Sequence, residues 1–262
     1  MDINLINMAD KISINVLVTF LCFLLGYLFG SFPTAIVIGK TIFHQDPRNY
    51  GSGNSGGTNA GRLGGKKWGL TVIIVDMIKT ISPLWICWSI LTFVKFNGTP
   101  VMVPAIEAYN PELAANYIIR WPVYWVTTFG CIVGHCWPIW AKFKGGKGVA
   151  TFMGLSFGST WMFGVTTGLC YLGVLKAKKY VSLASIVTCV VGSLLAWIWA
   201  ILVMTNVVPD SLKALPSYGN LMQVDWVFAG NFTLLAIITV YRHSSNIKRL
   251  KEGNERKITW RK

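Results

Sequence analysis

The sequence predicts an all-α, polytopic integral membrane protein. Three observations point there. The 262 residues are 53% hydrophobic and 13% charged, with a mean hydropathy of +0.51, whereas a soluble domain needs far more charge to cover its surface. Six apolar runs, at residues 14–40, 69–96, 121–140, 149–175, 181–208 and 226–241, approach or exceed the ~20 residues that cross a bilayer. The polar intervals between those runs carry very unequal charge. Twelve Trp and nine Tyr suit the two membrane interfaces, where a ring keeps one wet edge. A net charge of +14 would suggest nucleic acid in a soluble protein. Here the cations sit between apolar runs, so the positive-inside rule accounts for most of them and no nucleic acid is implied. Residues 1–262 read as a single membrane-embedded domain, with a basic tail at 242–262.

The first run follows MDINLINMADKISIN, which lacks a basic n-region, and no small-residue cleavage site comes after it. It is expected to be a retained helix rather than a cleaved signal peptide. The interval 40–67 then brings Lys40, Arg48, Arg62, Lys66 and Lys67. After the third run come Lys142, Lys144 and Lys147, and after the fourth Lys176, Lys178 and Lys179. The tail adds Arg242, Lys248, Arg249, Lys251, Arg256, Lys257, Arg261 and Lys262, for nineteen basic residues in this alternating set. The N-terminus and the intervals 95–120 and 206–224 hold four: Lys11, Lys95, Arg120 and Lys213. The asymmetry puts the first set in the cytoplasm and the second outside.

An outside N-terminus and an inside tail require an odd number of crossings, and six runs are even. One run must therefore be a hairpin. Residues 149–175 are the candidate, because Lys147 and Lys176 at its two ends both belong to the basic set, and Gly158, Gly164 and Gly168 allow a tight turn. The expectation is about seven membrane helices, the fourth and fifth short; one tilted helix there is the alternative. The six cysteines, Cys22, Cys87, Cys131, Cys136, Cys170 and Cys189, form no CxxC pair and read as small buried hydrophobes.

Three polar motifs interrupt this pattern. GSGNSGGTN, residues 51–59, is followed by Arg62. Such a glycine-rich run exposes backbone N–H groups in a concave nest that suits an anion. Gly51, Gly53 and Gly56 match GxGxxG only formally, since no strand precedes them. KFKGGKGVAT, residues 142–151, sets Lys144 and Lys147 around Gly145 and Gly146, with Gly148 opening an apolar run. A helix starting there points N–H groups and its positive dipole end at the loop, which suits a phosphate. YRHSSNIKRL, residues 241–250, puts His243 and Asn246 three apart, on one face if the helix continues. Ser182 opens the fifth run at the same level. Asp76 and Lys79, at i and i+3 within the second run, read as a mutual ion pair supporting the first loop. Paired carboxylates and a zinc cluster are missing from the polar loops. The site is thus expected to hold anions and orient a nucleophile, with no cofactor.

The motifs together resemble the bacterial acyl-phosphate:glycerol-3-phosphate acyltransferase family, the PlsY type. GSGNSGGTN, KFKGGKGVAT, YVSLASI at 180–186 and HSSNIKRL occur in that family's order and spacing, from Gly30 to Glu255. The resemblance implies a seven-helix enzyme of the bacterial plasma membrane with its active site on the cytoplasmic face. It implies transfer of a fatty acyl group from acyl phosphate to the sn-1 hydroxyl of glycerol 3-phosphate, giving lysophosphatidate and phosphate. Its partners are those two substrates and the bilayer, with no obligatory protein partner. Matched residue by residue, it gives catalytic roles to Ser52, Arg62, Lys147, His243 and Asn246. It gives substrate-binding roles to Gly51, Gly53, Asn54, Gly56, Thr58, Asn59, Lys144, Gly145, Gly146, Gly148 and Ser182. It also implies that a substrate phosphate, rather than a protein base, accepts the hydroxyl proton. Gly57 stands where the family usually has Ala, and Ser244 and Ser245 where it has a more polar pair; both differences bear on substrate fit. His243 could be the general base or a donor that holds a phosphate, and the donor role is the expectation. A transporter or channel for an organic phosphate is the alternative from another class; a membrane scaffold recruiting anionic partners is a third and leaves the glycine motifs unexplained.

Overall fold

The computed structural model of the chain describes residues 8–96, 98–103, 112, 117–119, 121–209, 222 and 224–258. The intervals 95–120 and 206–224, expected outside, lie largely beyond the described residues.

The first apolar run divides into two helices. Helix α1 covers Met8–Ser31 and α2 covers Thr34–Ile42. Pro33 between them lacks an N–H and disfavours helical geometry at Phe32, so a run that reads as continuous in hydropathy is broken. Helix α3, Gly57–Gly64, and α4, Lys66–Phe93, meet at Gly65, whose φ of +88° only glycine adopts readily. After α4, β1 (Lys95–Phe96) and β2 (Thr99–Pro100) form a minimal antiparallel hairpin, a small departure from the all-α expectation. The third run is helical only over α5, Val126–Cys136, with a 3-10 turn at each end and Pro122 and Pro138 as brackets.

The fourth run folds back on itself. Helix α6 covers Val149–Ser159 and α7 covers Trp161–Lys178. Thr160 between them is extended, and its hydroxyl oxygen caps α7 by accepting from Phe163 N at 3.0 Å. The reversal brings Gly164 onto the Phe157 ring and Gly168 within reach of Met153. The hairpin expected from charge parity is therefore the observed arrangement. Only its first arm is short, because 18 residues of α7 rise ~27 Å, close to a full hydrocarbon core. Helix α8, Val181–Met204, α9, Trp226–Arg242, and α10, Ser244–Lys251, follow. Asp225 caps α9, accepting from Val227 N at 2.8 Å and Phe228 N at 3.1 Å.

Among the described residues three helical stretches are long and apolar enough to cross a membrane: Asp10–Ile42, Lys66–Phe93 and Val181–Met204. In lipid there is little hydrophobic drive between helices, so close packing must hold the bundle. Helices α1 and α5 meet through Gly26, Gly30, Gly130 and Gly134, where any Cβ would run into the opposite backbone. Phe152, Phe163, Phe228 and Phe232 meet edge-on or tilted at centroid distances of 5.0–5.5 Å and knit α6, α7 and α9 together. The six cysteines are free thiols and all but Cys170 are buried, as expected of small hydrophobes.

Candidate active site

Two confluent cavities open among the three motifs. An outer one of about 750 Å³ is rimmed by Arg48, Ser52, Lys142, Lys144, Arg242 and Arg249. An inner one of about 230 Å³ is lined by Thr58, Arg62, Lys147, Ser182, His243 and Asn246 on its polar side and by Ile73, Met77, Met153 and Phe157 on its apolar side. Ser52, Asn54 and Lys147 border both. The chain thus gathers residues from three loops and from α3, α4, α6, α8, α9 and α10 around one space.

The first loop is held from inside. Asn59, at the start of α3, accepts from Ser52 N at 2.9 Å and donates from its amide to the carbonyls of Pro47 (2.6 Å), Tyr50 (2.9 Å) and Asn54 (2.8 Å). Its polar atoms are spent on the loop, so Asn59 shapes the site rather than facing a ligand. Gly51 and Gly53 take φ of +59° and +70° to make the turn, and Gly53 N closes on Tyr50 O at 3.0 Å. The expected open nest at Ser52–Gly53 is therefore closed. What faces the inner cavity is the segment Gly56, Gly57 and Thr58 at the N-terminal end of α3, with Arg62 one turn on. Arg48 ties this loop to the next. Asp46 binds its guanidinium, at 2.7 Å to Nη2, while Nη1 donates to Ala141 O at 3.0 Å.

The second loop also differs from expectation. Gly145 N and Gly146 N donate to the carbonyls of Cys136 (3.2 Å) and His135 (2.9 Å), at the end of α5, and not into the cavity. Their own oxygens accept from Arg242, Nη2 to Gly145 O at 3.3 Å and Nε to Gly146 O at 3.2 Å. The glycines are there for close approach: a Cβ on Gly146 would collide with the His135 ring. Gly148, with φ of +87°, turns the chain into α6. The loop's cavity-facing side chains include its three lysines, Lys142 and Lys144 on the outer cavity and Lys147 at the junction.

Lys147 Nζ donates to Asn246 Oδ1 at 2.5 Å. Asn246 Nδ2 donates to Glu255 Oε1 at 2.7 Å, and the same oxygen accepts from Ser182 Oγ at 2.8 Å. Glu255 Oε2 binds Arg249 Nε at 2.7 Å. Although burial acts to raise it, hydrogen bonds from Asn246, Ser182 and Arg249 hold the Glu255 carboxyl below its ordinary range. Burial, then the cation of Arg249, pushes Lys147 down to about 8. Glu255 is a site residue that motif spacing missed. Its one sequence signal was a carboxylate set in a cationic tail. The tail is also docked beyond it, Ile258 N donating to Lys179 O at 2.7 Å.

His243 is 3% exposed and interrupts the helix expected to continue, separating α9 from α10. Its Nδ1 lies 2.7 Å from Thr239 O. A carbonyl only accepts, so Nδ1 carries the proton and Nε2 is left as an acceptor. Burial pushes His243 down to about 4, with Lys147 and Arg242 adding to the effect and the Thr239 carbonyl opposing it. The imidazole is therefore neutral near pH 7. The expected donor role is corrected, since the one N–H is already used. Lys248 stands exposed beside Glu252 at 3.9 Å.

The Asp76–Lys79 pair is formed, at 2.8 Å, and is almost fully buried. It braces the α1–α2 break and not the first loop: Lys79 Nζ donates to Phe32 O at 2.9 Å and Thr34 Oγ1 to Asp76 Oδ1 at 2.8 Å. Gly57, the departure expected to bear on substrate fit, also packs on α4, where a Cβ would stand 2.5 Å from Ile73 Cγ1 and 2.8 Å from Gly69 O.

Residues 20–253 match the family model described as glycerol-3-phosphate acyltransferase. The glycerol-3-phosphate acyltransferase of Aster yellows witches'-broom phytoplasma (strain AYWB) is 32% identical over 241 residues, covering 92% of this chain and 96% of that one. That of Staphylococcus aureus (strain JH9) is 33% identical over 244 residues, covering 90% and 96%. The fold matches the crystal structure of PlsY (YgiH), an integral membrane glycerol 3-phosphate acyltransferase, in its glycerol 3-phosphate form. There the TM-score is 0.68 at 28% identity, with 92% and 96% of the two chains covered. The lysophosphatidic acid form gives a TM-score of 0.66 at 26% identity, covering 92% and 95%.

Proposed function

The chain belongs to the glycerol-3-phosphate acyltransferase family, and from that membership we propose that it moves a fatty acyl group from acyl phosphate to the sn-1 hydroxyl of glycerol 3-phosphate. Lysophosphatidate and inorganic phosphate are the products. Membership in an enzyme family answers the transporter alternative. The observation that carries the finer reading is the inner cavity itself, cationic and hydrogen-bonding on one side and apolar on the other. A donor with a phosphoryl head and a hydrocarbon tail matches that division.

In this reading the acyl phosphate head lies against Arg62 and Lys147, and its chain runs along Ile73, Met77, Met153 and Phe157 toward lipid. Glycerol 3-phosphate enters through the outer cavity, where Arg48, Lys144 and Arg249 attract its dianion. The sn-1 oxygen attacks the acyl carbon, the ester C–O bond forms, and the bond from that carbon to the bridging phosphate oxygen breaks. The hydroxyl proton goes to a substrate phosphate. A phosphate with a second pKa of ~6 is a better proton acceptor than an imidazole pushed down to about 4. His243 Nε2 then accepts a hydrogen bond from the neighbouring sn-2 hydroxyl and holds the glycerol so that the sn-1 oxygen is aimed. Lys147 and Arg62 stabilise the charge that grows on the departing phosphate. Ser52 and Asn54, at the cavity junction, steady the two heads, while Asn246, Ser182 and Glu255 keep Lys147 in place.

Seven membrane helices accompany this reading: α1, α4, α5, the α6–α7 hairpin, α8 and α9. The N-terminus is outside, and the tail and both cavities face the cytoplasm of a bacterial plasma membrane. The test is purified protein in detergent with palmitoyl phosphate and glycerol 3-phosphate. Phosphate and lysophosphatidate should form in equal amounts. Formation of neither, from folded protein, refutes the reaction, and lysophosphatidate only from another acyl donor refutes the donor.

A further inference from the structure

A buried polar cluster beneath the second loop is unused by this chemistry. It holds Asp76 and Lys79 of α4, Thr34 of α2 and His135 of α5, all buried. A charged pair within a membrane bundle is costly, and where it persists it is usually tied to function. Its ties here are directional. Asp76 Oδ1 accepts from Lys79 Nζ and Thr34 Oγ1, each at 2.8 Å, and the His135 Nδ1 atom stands 3.9 Å from it. The opposite edge of the same ring, at Nε2, lies where a Cβ on Gly146 would be. The His135 carbonyl takes the Gly146 N–H at 2.9 Å. The ring is thus packed between the Asp76 carboxylate and a glycine directly preceding Lys147. Asp76 and His135 also line the inner cavity, so the cluster borders it.

We infer that His135 is a positioning residue for Lys147, with the Asp76–Lys79 pair fixing the ring that sets the height of the Gly146–Lys147 backbone. The His135 carbonyl from one side and its ring from below settle where the loop lies. Lys147 has a long, flexible stem, and an ammonium at its tip is useful only if the base of the stem is fixed. The Asn246 bond holds the tip, and His135 holds the base. This inference rests on the reading that Lys147 contacts a substrate phosphate.

The experiment uses full-length protein in detergent and two double-mutant cycles. His135→Ala should lower kcat/KM by about 10- to 100-fold, the scale of a small misplacement at a reacting centre. In a Lys147→Met background the same change should cost less than about threefold, because the residue it acts through is gone. Gly146→Ala should be impaired, since its methyl meets the ring, and adding His135→Ala should recover part of that loss. A second readout leaves turnover aside. The rate at which an amine reagent modifies Lys147, resolved by peptide mass spectrometry, should change at least severalfold in His135→Ala. Should His135→Ala not fold, His135→Asn runs every arm. Full multiplicative loss in the Lys147→Met background, no recovery in the Gly146 pair, or unchanged Lys147 reactivity overturns the inference. An inactive wild type instead refutes the proposed reaction, and the reactivity arm still decides this one.

Discussion

Lys147 Nζ sits 2.5 Å from Asn246 Oδ1, across 99 residues of chain. This bond joins the second motif to the third, and through Asn246 it reaches Glu255 and Ser182. A lysine held this way, partly buried among cations, titrates within an accessible pH range.

Lys147 is pushed down to about 8, so its ammonium is present below that pH and is lost as pH rises through it. If the ammonium holds a substrate phosphate, kcat/KM should fall on the alkaline side with a midpoint near that value. Lys147→Arg keeps its charge throughout and should move the limb upward, even if its absolute rate is lower. A limb that stays put in the arginine variant belongs to another group.

Lys147→Met and Arg62→Ala each remove a cation from the inner cavity. Loss of one charged donor to a developing anion costs ~2–4 kcal/mol, or roughly 30- to 1000-fold in kcat/KM. Measurement at subsaturating substrate would show this. Near-normal turnover in either variant would leave that residue only a topogenic charge.

His243 is expected to act as an acceptor. His243→Gln keeps an acceptor oxygen and cannot take a proton, so it should retain clearly more activity than His243→Ala, the difference lying in KM for glycerol 3-phosphate. Equal loss of kcat in both, with KM unchanged, would make His243 the base instead.

Glu255 collects three hydrogen bonds on two oxygens. Glu255→Gln turns one acceptor into a donor facing Arg249, a loss of ~1.5–3 kcal/mol on the usual scale for bonds to charged groups. Activity should fall about tenfold or more, together with a lower Tm in detergent. Unchanged Tm and turnover would mean that the tail does not hold Asn246.

Gly57→Ala should destabilise the α3–α4 contact by ~1–3 kcal/mol, the ordinary cost of overpacking. The measure is thermal unfolding in detergent, and Ile73→Ala in the same chain should restore part of the loss. If Gly57→Ala unfolds at the wild-type temperature, the α3–α4 spacing adapts and the tight approach has no consequence.

For topology, single cysteines placed at Ser55, Lys144 and Ser245 should be shielded from an impermeant thiol reagent added outside intact cells. One at Asn110 should react. External labelling of any of the first three would overturn the shared cytoplasmic face.

The amino-acid sequence alone determined much of this protein. Composition and six apolar runs required a helical membrane bundle, because only internally bonded backbone survives in lipid. The nineteen-to-four charge asymmetry pointed to an orientation and, by parity, to a reversal within residues 149–175, which the fold makes at Thr160. Residue types in the three motifs pointed to phosphate, and their order pointed to the family. Tertiary structure decided what each polar group does. Gly145, Gly146 and Asn59 looked like ligand contacts, yet their hydrogen bonds run to carbonyls and amides within the loops. Glu255 and His135 lie outside the three motifs, yet one anchors Asn246 and the other supports Gly146. A hydrogen-bonding capacity is written in a residue's identity, but its partner is fixed only when distant segments meet. The direction in which His243 can bond depended on the Thr239 carbonyl one turn before it, through the geometry of the α9 terminus. Sequence supplies the donors and acceptors; the packing of α5, α6 and α9 determines which of them remain for a substrate.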